Sequence, residues 1–483
     1  MSVDGGPPVD RGLAQLRELE TDSHAWLDPS EIRQKGGNRR RRYRRTIGSS
    51  TLAVVVLAAA LIWVSVGGQS RPNANTHVVA KAGPAVHIVS DTDVGVASPT
   101  GPFSTTVAQS EQQFSLSLLQ KVSSSESDSS NIVISPVSLA TALSMLELGA
   151  NGATETQIAR TLGTGHLTAQ QQGAGWSALS AELAAAGAAD GNQLRSANSL
   201  WLQKGLAMDP AFMSDLSRYF SSGVWQVDFA TDPAAAVTAL NAWVTRETNG
   251  RITSLFAPGA ITNETALILA NAVYFKAQWA QPFAATTTDN VFHLAGGATA
   301  SVPFMHTAVN EALGASVSMG SGVDAAQIPY RGGHMAALVI MPTTGTLSDL
   351  TDSLTSTSLS RLVSGLKSTS LDLTMPTLAL SDDHELIPTL ESLGMRDAFD
   401  PGRADLSGMS PSPLFVTDVV QKATLDVTPW GTEASAATGI STALSATLPL
   451  TSLTIDHPFL FLIRDTQTGA ILFEAQVANP ATA

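Results

Sequence analysis

A hydrolase or a transferase usually shows itself in short residue spacings, and this chain of 483 residues offers few of them. It has no HExxH pair to hold zinc, no GxSxG elbow to expose a serine, and no P-loop or GxGxxG turn to cradle phosphate. Cysteine is absent, which removes a thiolate nucleophile, a cysteine metal site and a disulfide framework. Ser364 and Lys367 spell S-x-x-K, the spacing of one class of serine acyl-enzymes, but its K-T-G companion is missing. His457 precedes Pro458 and reads as strand-end packing, while Asp382 and Asp383 read as a turn before a helix. No metal and no cofactor is expected. The segment that stands out is "GTEASAATGISTALSATLPLTSL", residues 431–453, with Glu433 as its one charge in 23 residues. It is too apolar and too long for a turn and too poor in large side chains for a core strand. Loops of this length are uncommon in folded domains and are usually functional or disordered.

Charge and hydropathy divide the rest. Residues 1–45 are polar and end in "NRRRRYRR". Residues 46–70 carry no charge, and a helix over their apolar centre is about 30 Å long, the thickness of a hydrocarbon core. The domain reading is a basic tail at 1–45, a transmembrane helix at 46–68, a Ser/Thr/Pro/Gly-rich extended linker at 69–103 and a globular domain at 104–483. The tail holds 10 of the 27 basic and 7 of the 41 acidic side chains, so the remainder carries 17 basic against 34 acidic. Basic residues flank the apolar run on its N-terminal side. The expectation is an N-terminus in the cytoplasm, one span through the lipid bilayer and an extracytoplasmic domain, with release by cleavage of the linker left open. An exported part this acidic is not expected to bind nucleic acid. Abundant alanine, and arginine in preference to lysine, suggest a GC-rich bacterial coding bias.

Periodicity supplies the elements that would hold the long loop. "TTVAQSEQQFSLSLLQKV" and "PAAAVTALNAWVTRETNG" place apolar residues at helical spacing. "SPVSLATALSMLELGANG" does the same, with Ser135 at the N-cap and Pro136 in the first turn. "TALILANAVYF" is a continuous apolar run, expected of a central strand buried on both faces, and "MAALVIMP" is another. "LDLTMPTLAL" alternates as one half-buried strand. "HELIPTLESLGM" returns to helix, and "HPFLFLIRD" with "GAILFEAQVANP" forms a closing strand pair around Gly469. The fold class is α+β, a large sheet with helices packed over it.

These blocks, in this order, resemble the serpin family from about Ser104 to Pro480. "NIVISPVSLATALSMLELGANGATETQI", "LNAWVTRETNGRITSLF", "ALILANAVYFKAQWAQPF", "LESLGMRDAFDPGRADLSGMS" and "LTIDHPFLFLIRDTQTGAILFEAQVANP" carry the resemblance. It implies a serpin fold, with three β-sheets, a helical shell and an exposed reactive-centre loop at residues 431–453. The implied function is not that of an enzyme. It is that of a suicide substrate for serine endopeptidases: the loop is cut, an acyl-enzyme forms, and the freed loop inserts into the central sheet. Counting the usual loop length from Gly431 puts the scissile bond at Ser445–Ala446, with Leu444–Ser445 one step away. The loop has no Lys or Arg, so the expected target has an apolar or small-residue pocket, as in elastase-, chymotrypsin- or subtilisin-like proteases. The resemblance also implies a sheet-opening cluster of Ser135, Ser138, Asn271 and Gln421, the last in place of the family's usual histidine, and an aromatic at the top of the sheet, Trp279.

The loop can be tested against that role through strand alternation alone. One face would carry Thr432, Ala434, Ala436, Thr438, Ile440 and Thr442, all fit for an interior. The other would carry Glu433, Ser435, Ala437, Gly439, Ser441 and Ala443, so the charge falls where it can stay wet. The hinge Gly431–Thr438 is small throughout, with Thr432 the first side chain that must enter the sheet. Pro429 and Trp430, just upstream, depart from the family's acidic or polar pattern. The alternative left open is a non-inhibitory serpin-fold binding or adhesion module displayed on the membrane.

Overall fold

The computed structural model describes residues 85–88, 103–188, 192–307, 313–320, 322–432 and 450–482. The tail, the expected span and Glu433–Pro449, with Ser445, Ala446 and Leu444, lie outside them. Among the described residues no helix is long and apolar enough to cross a membrane.

Strand β1 (Ala85–Ile88) precedes α1 (Ser104–Ser123). β2 (Ile132–Ile134) leads into α2 (Pro136–Glu147), α3 (Gly152–Thr161) and α4 (Ala169–Ala188). β3 (Gln193–Gln203), α5 (Pro210–Phe220), β4 (Val224–Val227), α6 (Pro233–Glu247) and β5 (Leu267–Gln278) follow. Next come β6 (Thr288–His293), β7 (Thr299–His306), β8 (Leu313–Ser318), β9 (Val323–Pro329) and β10 (Met335–Pro342). Two helices, α7 (Leu347–Ser353) and α8 (Ser356–Gly365), precede β11 (Lys367–Pro376), β12 (Leu378–Glu385) and α9 (Ile387–Ser392). The chain closes with β13 (Asp418–Thr428), β14 (Gly431–Thr432), β15 (Leu450–Thr454), β16 (Phe459–Asp465) and β17 (Ile471–Val477).

The strands form a seven-stranded sheet, ordered β1-β4-β3-β5-β14-β13-β12, and a ten-stranded one. Three sheets were expected. Two of them are continuous here because β11 serves both: Lys367–Leu371 pairs with β8, while Thr374–Pro376 pairs with β7. The strand read as "LDLTMPTLAL" is also corrected. Pro376 ends β11 and Leu378 starts β12, which belongs to the other sheet, paired with β13. A proline removes a ladder donor, so the alternation of apolar residues carries across the break although the pairing does not. Asp382 and Asp383 lie within β12 rather than a turn, and Asp382 Oδ2 accepts a hydrogen bond from Val133 N at 3.1 Å.

The core lies between α1, α2, α4 and the two sheets, and β5, β10, β16 and β17 are buried almost throughout. A second apolar cluster lies on the other face of the seven-stranded sheet. There α6 presents Val237, Leu240, Trp243 and Val244 to Trp201 on β3 and to Ile268, Ala270 and Ala272 on β5, with Val420 of β13 packed against the cluster. The segment read as pure linker contributes a strand: β1 pairs antiparallel along the outer edge of β4.

The candidate reactive-loop hinge and its sheet

The seam between β5 and β13 decides what the seven-stranded sheet can do. Along its lower part the two strands pair directly and in parallel, from Ile268 opposite Asp418 to Val273 opposite Ala423. Above Val273 they part, and β14 occupies the gap. Thr432 pairs with Ala277 on one side and Val427 on the other, and Gly431 pairs with Gln278 and Thr428. The reading of 431–453 as loop throughout is therefore corrected at both ends. Its first two residues already lie in the sheet, and its last four belong to β15, which runs parallel to β11.

Local chemistry explains the wedge. Residues 428–431 make a tight turn whose ends pair, with Pro429 at the second position, where its fixed φ fits. The Pro429 carbonyl accepts from Phe283 N at 2.9 Å, and the Trp430 carbonyl accepts from Trp279 N at 3.1 Å. Pro429-Trp430 thus anchors the hinge at the top of β5. Gly431 has φ +145°, and a Cβ there would run into the Ala277 carbonyl oxygen and approach Gln278 Cα at 2.7 Å. Only glycine fits such a position.

Thr432 is buried, and its hydroxyl shares a hydrogen bond of 2.6 Å with Tyr330 Oη. Burial raises the Tyr330 phenol well above its ordinary range, so it stays protonated. The Tyr330 ring stacks on Trp279 at 4.4 Å, and Trp279 Nε1 donates to the Thr428 carbonyl at 3.0 Å. Trp279 directly follows β5 and holds the hinge turn through its ring nitrogen. Tyr330, which touches Thr432 directly, was missed; it lies in the β9–β10 connection, where no periodicity marks it.

Lower down, the structure brings Ser135, Ser138, Asn271 and Gln421 together beneath the seam, all of them buried. Gln421 Oε1 accepts from Ser135 N at 2.8 Å, while its Nε2 donates to Ser135 O at 2.9 Å and to Asn271 Oδ1 at 2.6 Å. Asn271 Nδ2 donates to Ser138 Oγ, which also contacts Ser196 Oγ at 2.8 Å. Glutamine can both donate and accept, and here it does both. Ser135 holds the expected N-cap position of α2, but its hydroxyl donates to the Leu472 carbonyl at 2.6 Å instead of capping the helix. Ser196 and Asn198 on β3 complete the cluster and were not foreseen. Ser196 is exposed and Asn198 half-buried, in the polar first half of β3, which carries no pattern that marks a contact beneath the sheet. Ser364 back-bonds to Arg361 O at 3.0 Å within α8 and Lys367 is exposed, so S-x-x-K builds no dyad. Among the described residues no group of three or more His, Asp or Glu could hold a metal ion.

A sequence model of the family described as "Serpin (serine protease inhibitor)" matches residues 109–480. The chain belongs to the serpin family. It is similar to serpin-Z1C of Triticum aestivum, 34% identical over 77% of this chain and 95% of that one. Leukocyte elastase inhibitor A of Mus musculus is 31% identical over 76% of this chain and 97% of its own. Among solved structures, the thermophilic serpin tengpin in its native state superposes with a TM-score of 0.73, covering 82% of this chain and 99% of tengpin at 24% identity. The family is one of protease inhibitors rather than catalysts, which accords with the missing catalytic spacings.

Proposed function

We propose that this serpin inhibits serine endopeptidases as a suicide substrate, with cleavage at Ser445–Ala446 or one bond earlier, acyl-enzyme trapping and insertion of the freed loop along the β5–β13 seam. The observation that carries the reading is β14, already wedged into the top of that seam in a register the loop can continue. Carrying the register on pairs Thr438 with Asn271 and Gln421, where its hydroxyl can take over the hydrogen bond those two now share. The same register sets Ala437 between Ala272 and Lys422, and Gly439 between Ala270 and Val420. Ala270, Ala272 and Val420 pack beneath α6, so the residues that would pass under the helix are among the smallest available. Glu433 would emerge between Lys276 and Asp426, with a cation on one side and a carboxyl group on the other.

Insertion also has a driving force. It replaces one parallel ladder by two antiparallel ones, which are slightly more stable per residue. About a dozen new ladder hydrogen bonds at roughly 0.5–1.5 kcal/mol each give on the order of 10 kcal/mol before packing. That is enough to deform an acylated protease.

The target is an elastase-, chymotrypsin- or subtilisin-like protease, because the loop offers no Lys or Arg. The similarity to a leukocyte elastase inhibitor supports the same choice. The serpin domain is held outside a bacterial cell by a span at 46–68, with residues 1–45 in the cytoplasm; the support is the arginine asymmetry about the uncharged run. The test is incubation with a panel of proteases, SDS electrophoresis for a complex that survives boiling, and mass spectrometry of the released C-terminal peptide. The expected peptide starts at Ala446. A cut outside Ala443–Thr447, strong inhibition of trypsin, or cleavage without complex overturns the reading, the last in favour of a binding module.

A further inference from the structure

A histidine that no part of that scheme uses lies in the ten-stranded sheet, where β6, β7 and β11 meet. Register brings it together with two threonines far away in the sequence. Thr288 on β6 is opposite Phe304 on β7, Phe304 is opposite Pro376 on β11, and His306 is opposite Thr374. Directly paired residues point to one side of a sheet, and so do residues two apart on a strand. Thr288, His306 and Thr374 therefore share a face. Their side chains meet in a line: the Thr288 hydroxyl is in hydrogen-bond contact with His306 Nε2, and His306 Nδ1 lies 3.1 Å from Thr374 Oγ1. Steps of 18 and 68 positions separate them along the chain, so no short spacing announces them. Thr288 is exposed, while His306 and Thr374 are half-buried. A reagent can reach the hydroxyl, and the imidazole is held behind it. By alternation, Asp372 is the one charged side chain on that face of β6, β7, β8, β11 and β15, among the described residues.

We propose that Thr288 is a covalent modification site: its hydroxyl takes an acyl group from an activated ester or thioester, with His306 as the base and Thr374 fixing the imidazole. A threonine hydroxyl is a weak nucleophile by itself and is activated by an adjacent base that a third group orients. The tautomer required carries its proton on Nδ1, donating to Thr374 Oγ1, and leaves Nε2 to accept from Thr288. The Thr288 oxygen attacks the acyl carbon, and its proton passes to Nε2. The bond from the acyl carbon to the leaving sulfur or oxygen then breaks, and the leaving group departs as a thiol or alcohol with the proton from His306. Nothing is oxidised or reduced. A threonine alkoxide leaves far less readily than a thiolate or a phenolate, so the new ester stays, and the event is a modification and not turnover. All three residues stand on strands, which hold such a geometry better than loops do. The proposal does not depend on loop insertion.

The experiment treats the full chain with para-nitrophenyl acetate and follows acetylation residue by residue with peptide mass spectrometry. Thr238 is the internal reference: it is exposed on α6, and its hydroxyl donates to the Ala234 carbonyl at 3.0 Å. Thr288 should acetylate about a hundredfold faster than Thr238, the scale of general-base assistance. Its rate should climb with pH across the range in which a histidine gives up its proton and then level off. His306→Gln still offers the hydroxyl a hydrogen-bond partner but has no basic nitrogen, so it should bring Thr288 down to the rate of Thr238 and erase the pH step. Thr288→Val should remove the fast adduct, and Thr288→Ser should keep it. Should His306→Gln not fold, the pH step in the parent decides the matter by itself. Thr288 reacting no faster than Thr238, a rate without the pH step, or a folded His306→Gln as fast as the parent overturns the proposal and leaves the three side chains as a tie between strands.

Discussion

At Gly431 the backbone has φ +145° with carbonyl and Cα atoms of β5 where a side chain would start, so Gly431→Ala is expected to expel the hinge from the sheet. The cost is about 1–3 kcal/mol, and Trp279 fluorescence together with hydrogen exchange at Thr432 would report it. The variant should still be cut near Ser445 but trap less protease per cut; an unchanged inhibition stoichiometry would show that a docked hinge is irrelevant. Tyr330→Phe leaves the buried Thr432 hydroxyl without its 2.6 Å partner and should loosen the same hinge by about 1–3 kcal/mol. Thr432→Arg places a charge where the structure has a buried hydroxyl. It is expected to hold β14 out of the sheet and turn the protein into a plain substrate, scored on an SDS gel, while Glu433→Arg on the opposite parity changes far less. The inward parity of Thr432 was legible from strand alternation; the need for glycine at 431 was not, because it comes from the Ala277 carbonyl across the sheet, and Glu433 lies outside the described residues. Tyr330 was not legible either, because its importance comes from a contact 102 positions away that no local pattern encodes.

Elements were legible where burial is complete on both faces or neither. β5, β10 and the β16–β17 pair read directly as apolar runs. β11 and β12 were fused because alternation is blind to which sheet a strand joins, and β1 went unseen because four residues inside a polar segment give no period. The insertion path yields a prediction at this scale. Gly439→Leu would push a branched side chain between Ala270 and Val420 against the underside of α6. Insertion should stall there, and the ratio of cleaved to trapped inhibitor should rise severalfold, with the cleavage site unchanged. A variant that traps protease as well as the parent would mean that the loop does not pass beneath α6. Gln421→Ala strips Ser135 N and Asn271 Oδ1 of their partners at once, while Ser135 O keeps its bond from Leu139 N. At about 1–3 kcal/mol for each buried group left unpaired, the closed seam should open more readily, seen as faster loss of activity on storage.

The whole molecule carries buried acids that bear on its stability. Glu474, whose Oε1 accepts from Ser115 Oγ at 2.7 Å, and Glu147, beside Gln172, are raised by burial from 4.5 to about 8, and Glu111 is raised well above its ordinary value by burial and, secondarily, by Glu474. Each binds its proton more tightly folded than unfolded. The contribution of Glu474 and Glu147 is fully present below about pH 4.5 and is lost as pH rises through about 8. The urea midpoint of unfolding should therefore fall over that window, and Glu474→Gln should flatten the dependence, with a gain on the order of a few kcal/mol at its upper end. A parent whose stability rises with pH there would contradict the assignment. The parallel rungs of the β5–β13 seam set the wider behaviour. If two antiparallel ladders are the better arrangement, the working fold is held by a barrier rather than by depth, and cut protein should outlast intact protein on heating. On the proposed suicide mechanism each copy acts once and is spent. Capacity against a protease is counted in molecules made, not in turnovers, so the rate of synthesis, and not any affinity, limits how much proteolysis a cell bearing this chain can absorb.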